Sequence, residues 1–134
     1  MTPTGAPTTS LWAHIACCVD ESEASAAALR EARRLRAQGP GRLTLLHVAF
    51  GPPHDATPPC PEWLAAAASE GAGEPVVLVN LGVPAAAVRE WAAGARTDLI
   101  VASAHRGMRE RILLGSFAGH LARHAPCPVL LVRP

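Results

Sequence analysis

The sequence predicts an α/β domain in which a doubly wound, five-stranded parallel sheet carries helices on both faces. Three observations point there. Short apolar runs of four to eight residues alternate with helical patterns along the chain. The apolar runs are continuous rather than alternating, as in strands buried on both faces. Glycines and prolines punctuate nearly every junction between them.

Taken in order, WAHIACCV at 12–19 is the first strand, closed by Asp20. Residues 23–38 form a helix with alanines and leucines on one stripe. Its acids come early and its arginines late, as the helix dipole favours. Gly39-Pro40-Gly41 stops it, and LTLLHVAF at 43–50 is the second strand. Five prolines in residues 51–61 exclude regular structure, leaving a stiff loop. EWLAAAASE at 62–70 supplies two helical turns, and PVVLVN at 75–80 the third strand. Pro84 suits the first position of a helix over 84–95. DLIVAS at 98–103 is the fourth strand, and 104–114 is a polar, basic loop. A helix from Gly115-Ser116 to about His124 ends at Pro126 and Pro128, before VLLV at 129–132, the fifth strand. Residues 1–11 read as a leader without order, and 12–134 as one domain.

Composition removes several functions. All 12 basic residues are arginine, against 11 acids, for a net charge of +1. Without lysine there is neither a P-loop lysine nor a Schiff base. So balanced a chain does not bind nucleic acid by neutralising many phosphates. No apolar run of 18 residues marks a membrane span. The leader has neither the basic nor the apolar part of a signal peptide, which leaves a cytoplasmic location. The four cysteines form no C-x-x-C pair and read as buried thiols, with Cys17 and Cys18 on opposite strand faces. His120 and His124 are spaced to share a metal, and Cys127 follows. They lack a fourth ligand and an intervening glutamate, so no metal site is assigned. His14 and His47 read as strand residues. No G-x-S-x-G elbow surrounds Ser22, Ser25 or Ser103, and no catalytic residue is assigned.

In doubly wound sheets ligands sit beyond the carboxyl ends of strands, where strand order reverses. That directs attention to Asp20, to residues 48–51 and to residues 102–116. Here CVDESEASAAALREA, LLGS at 113–116 and HAPCPVLLVR at 124–133 resemble the universal stress protein family, over most of the chain. The resemblance implies strand order 3-2-1-4-5, a homodimer paired through Val129 to Val132, and in one branch bound ATP or AMP, with magnesium as the accompanying ion. Residues 51–73 depart from the family in being short and proline-rich.

The ATP-binding branch carries G-x-x-G-x9-G-[ST]; this chain aligns Ala102, His105, Gly115 and Ser116 with it. Glycines let backbone approach phosphate, and a helix N-terminus offers free N–H groups. Ala102 is a mild change where φ is negative. His105 is strained where φ must be positive, unless Gly107 takes that place, and its imidazole could instead donate to phosphate. By resemblance Asp20 faces the ribose or base; capping of the next helix is the other reading. Val48 contacts the base or simply packs in the core. Ser116 meets phosphate or caps the last helix, with Phe117 beside it. Arg106, Arg109 and Arg111 attract phosphate or line a solvated loop. Three functions stay open: an adenine-nucleotide module of the stress response, an interaction module of the same fold without nucleotide, and a slow ATPase.

Overall fold

A computed structural model describes residues 12–50, 58–71, 73–80, 82–104 and 115–133. Five strands and four helices alternate: β1 (His14–Cys18), α1 (Glu23–Arg36), β2 (Arg42–Phe50), α2 (Glu62–Glu70), β3 (Glu74–Asn80), α3 (Pro84–Gly94), β4 (Leu99–Ser103), α4 (Ser116–His124) and β5 (Val129–Val132). The sheet is parallel throughout, in the order β3-β2-β1-β4-β5. Strand order therefore reverses beside β1, between β2 and β4, as expected. The leader, the proline-rich residues 51–57 and the basic residues 105–114 lie outside the described residues.

The alternating side chains of the central strands feed two cores. Ile15, Cys17, Leu43, Leu45, Leu99 and Val101 pack with Ala28, Leu29 and Ala32 of α1 and with Leu64 and Ala68 of α2. Leu46, Ile100 and Ala102 pack on the other face with Ala85, Val88 and Ala92 of α3 and with Leu121 of α4. Burying each of these larger side chains contributes about 1.5–3 kcal/mol. Cys17 and Cys18 do point to opposite faces. Cys60 corrects the expectation of buried thiols: it is exposed, on the approach to α2, where the prolines keep the chain at the surface.

Local chemistry explains the element ends. Ser22 caps α1 by accepting from the Ser25 N–H at 3.1 Å. The last turn of α2 carries no basic residue; Arg33 of α1 instead donates from Nη2 to the Ala67 carbonyl. Helix α3 closes with Thr97 N–H donating to Ala92 O and Arg96 N–H to Ala93 O. This closure puts Arg96 at φ 55, a left-handed position more often given to glycine. The helix ends at Gly94, one residue before the end expected from the sequence.

The amino end of the sheet is sewn polar. The Asp98 N–H donates to the His14 carbonyl at 2.9 Å, and Asp98 Oδ2 accepts the His14 N–H at 2.8 Å. The His14 ring is buried, 2.8 Å through Nε2 from Thr44 Oγ1 and edge-on to Trp91. Burial first, then the charge of Arg42, lowers the His14 pKa from the ordinary 6.5. On α4, His120 is lowered too, by desolvation and by His124, Arg89 and Arg123. Both groups hold protons less readily folded than unfolded. The penalty from these two groups is therefore absent well above pH 6.5 and grows as pH drops through it, because the unfolded chain then binds the extra protons. Urea midpoints at pH 7.5 and 5.0 should show this loss, and His14→Gln should flatten it. An equal midpoint at both pH values would contradict this account.

Candidate functional site

The carboxyl ends of β2, β1 and β4 lie side by side at the reversal of strand order. Cys18 is level with Leu46 and Cys17 with Val101. That register sets Asp20, two residues past β1, beside Val48 on one side and the end of β4 on the other. The crevice floor is thus built from residues distant in sequence but matched in register.

Asp20 is half-buried and its backbone is tightly held. Its N–H donates to Ser25 Oγ at 2.8 Å, and its Oδ1 accepts the Ser22 N–H at 2.8 Å. The capping reading of Asp20 is therefore corrected in detail. Ser22 is the cap, and Asp20 braces the turn that presents it.

Val48 lies within β2 rather than beyond it, level with Leu78, and is half-buried against the α3/α4 core. Core packing is observed for its side chain. Ala102 is 1% exposed, so its methyl belongs to the core. Arg96 has the only positive φ among described non-glycine residues, so alanine at 102 carries no left-handed strain.

Gly115 is the N-cap of α4 at φ −63, ψ 162, with no side-chain capping bond. Ser116 is exposed at the first helical position, which removes its capping reading. The Gly115 N–H donates to Ala104 O at 3.2 Å, so residues 104 and 115 meet across the intervening segment. The Gly115 carbonyl accepts from Gly119 at 2.8 Å, the first bond of the helix. The N–H groups of Ser116, Phe117 and Ala118 follow in the first turn, where an α-helix has no internal acceptors for them. Phe117 is half-buried and anchors that turn on the α3/α4 core. His105, Arg106 and Gly107, with Arg109 and Arg111, lie outside the described residues.

Chemically this arrangement offers a carboxylate on one side and a helix N-terminus on the other. Such a pair suits a ligand with hydroxyl or amine donors at one end and negative charge at the other. Cys17, Cys18 and Cys127 are poor nucleophiles. Burial pushes Cys18 up to about 12, raises Cys17 well above its usual value, and with Asp98 raises Cys127. The His120 and His124 rings are 4.8 Å apart, yet Arg89 and Arg123 oppose a cation there. No group of three or more His, Cys, Asp or Glu suited to a metal occurs among the described residues.

Sequence reasoning missed two contributors. Ser25 is 5% exposed within α1 and reaches back to the Asp20 backbone. His47 crosses from β2 to place Nδ1 2.9 Å from the Val19 carbonyl. The run VDESEAS carries a signal for the first, a hydroxyl three residues after the cap. Nothing in LTLLHVAF marks the second.

Comparison with known proteins agrees with this geometry. The Universal stress protein family model matches residues 12–133. A universal stress protein UspA from Lactobacillus plantarum superposes with a TM-score of 0.68 at 23% identity, covering 91% of this chain and 98% of that one. A universal stress protein from Archaeoglobus fulgidus, in complex with dAMP, gives 0.64 at 20%, covering 90% and 97%. A family protein from Arabidopsis thaliana with AMP bound gives 0.62 at 15%, covering 90% of each chain. No match is found among the curated proteins.

Proposed function

The chain belongs to the universal stress protein family, and from that premise we propose that it is an adenine-nucleotide-binding module of the stress response. The observation that carries the reading is that Asp20, past β1, and the first turn of α4, tied to the end of β4 through Gly115 and Ala104, lie at the same end of the sheet. Asp20 would accept from ribose hydroxyls or the base amine. The first-turn N–H groups and the Ser116 hydroxyl would hold phosphate, since the chain has no lysine to do so. His105, Arg106 and Gly107 would add donors from the loop, and Val48 and Ala102 the apolar floor. Solved relatives with AMP and dAMP support the ligand class. Magnesium would come with ATP, held by phosphate and water.

The fit has one tight point. The Gly115 N–H is already taken by Ala104, so phosphate must rest on the residues after it. The same observation favours a second reading, an interaction module of this fold that holds no nucleotide. On either reading the protein is cytoplasmic and dimeric. All four residues of β5 are half-buried at the sheet edge, and pairing with a second copy would cover that edge. No helix among the described residues is long and apolar enough to cross a membrane.

Thermal unfolding with and without millimolar ATP and magnesium separates the two readings. At 100 times the dissociation constant, binding adds about 2.7 kcal/mol, a rise of several degrees. Asp20→Asn and Ser116→Ala should each shrink that rise. An unchanged midpoint, with no nucleotide carried through purification, leaves the interaction module. Phosphate release abolished by Ser116→Ala would instead identify a slow ATPase.

A further inference from the structure

We propose that His47 is a positioning residue for this crevice, setting the orientation of Asp20 and linking it to α2 through Trp63. The link to ligand rests on the nucleotide reading above; the orientation of Asp20 does not.

The peptide unit joining Val19 to Asp20 lies past the end of β1. Two side chains hold it. The Val19 carbonyl accepts from His47 Nδ1 at 2.9 Å, and the Asp20 N–H donates to Ser25 Oγ at 2.8 Å. A carbonyl only accepts, so Nδ1 must carry the proton. A peptide unit bonded on both sides cannot rotate freely. Its plane sets the direction in which the Asp20 side chain leaves the backbone, and so the aim of the carboxylate.

The His47 ring is itself held. It stands edge-on to Trp63, with centroids 4.9 Å apart and planes at 85°. Trp63 is the second residue of α2 and packs on the α1/α2 core. Val48, the next residue along β2, turns to the opposite core. One strand end thus supplies apolar floor on one face and orientation of the acid on the other. A ligand pulling on Asp20 then acts on Trp63, and a partner that binds at Trp63 would change affinity for the ligand as much as the ligand changes affinity for the partner.

Two substitutions in the full chain separate the parts. His47→Phe keeps a ring against Trp63 and loses the donor; His47→Gln keeps a donor. Backbone amide spectra without ligand should show Asp20 and Ser22 displaced in His47→Phe and restored in His47→Gln. Calorimetric titration with ATP should show at least a tenfold loss of affinity for His47→Phe and less than threefold for His47→Gln. Unmoved Asp20 and Ser22 amides in folded His47→Phe would overturn the proposal, whatever ATP does. Displaced amides in a protein whose wild type binds no ATP would remove the nucleotide reading and leave the positioning of Asp20 standing. A melting-temperature loss with unchanged ATP affinity would reduce His47 to a fold residue and overturn its role at the crevice. Should His47→Phe not fold, ring nitrogen spectra of the wild type decide: an Nδ1–H tautomer supports the proposal, and an Nε2–H tautomer overturns it.

Discussion

Leu121→Ala is expected to lower the unfolding free energy by about 2–5 kcal/mol, the range for deleting a buried leucine side chain. Leu121 is fully buried, while the other buried residues of α4 are only Ala118 and Gly119. It alone inserts a large, fully buried side chain from α4 into the core of Ala85, Val88, Ala92, Ile100 and Ala102. Beyond the half-buried Phe117 in its first turn, the helix has little else to rely on. It is nine residues long, too short to persist by itself, and its N-cap makes no side-chain bond. The basic Arg123 and His124 in its last turn add only tenths of a kcal/mol each. Truncation would leave a cavity and loosen the first turn, where Ser116 and the free N–H groups lie. Urea denaturation with an unchanged slope measures the first effect. Loss of the ATP-induced thermal shift measures the second. A change below about 1 kcal/mol would mean that α4 is held by something other than Leu121.

How much of this was legible beforehand differs between backbone and site. Strand and helix order could be read because each element carries its own local signal. LIVAS is buried on both faces, and its apolar run needs no partner to be recognised; PVVLVN carries a similar run although, at the sheet edge, it is only half-buried and Val79 is exposed. Glycine and proline marked the end of α1 and the start of α3. The end of α3 was also read to within one residue, although Arg96 there performs the turn that glycine usually makes. The site was legible only as a set of strand ends. Register decided which side chains share the crevice, and register depends on pairings far apart in sequence. Val48 and Ala102 show the limit: both reach the right sheet end, yet their side chains belong to the core. Ser116 shows another, since whether Gly115 or Ser116 caps α4 turns on one residue's backbone angles. His47 could not have been found at all, because its acceptor, just past β1, is 28 residues away in sequence.

Ser25→Ala is expected to cost about 1–3 kcal/mol, the penalty for leaving a buried donor unpaired. Ser25 sits three residues after the cap of α1 and plays two parts. Its N–H donates to Ser22 Oγ, and its own Oγ accepts the Asp20 N–H. The Asp20 carboxylate closes the ring by accepting from the Ser22 N–H. Ordinary capping boxes return a long glutamate or glutamine side chain to the cap residue's own N–H. Here a short hydroxyl reaches past the cap to the residue expected to meet the ligand. Helix initiation and placement of the acid are thereby one structure. Ser22→Ala should cost about 1 kcal/mol as a lost cap. The double variant should cost less than the sum, because the two serines share one network. Asp20→Asn separates the roles: its amide oxygen can still accept from Ser22, so stability should change little while the charge offered to a ligand is lost. If Ser25→Ala costs under 0.5 kcal/mol in urea denaturation, water reaches the Asp20 N–H, and the turn is held from the His47 side alone.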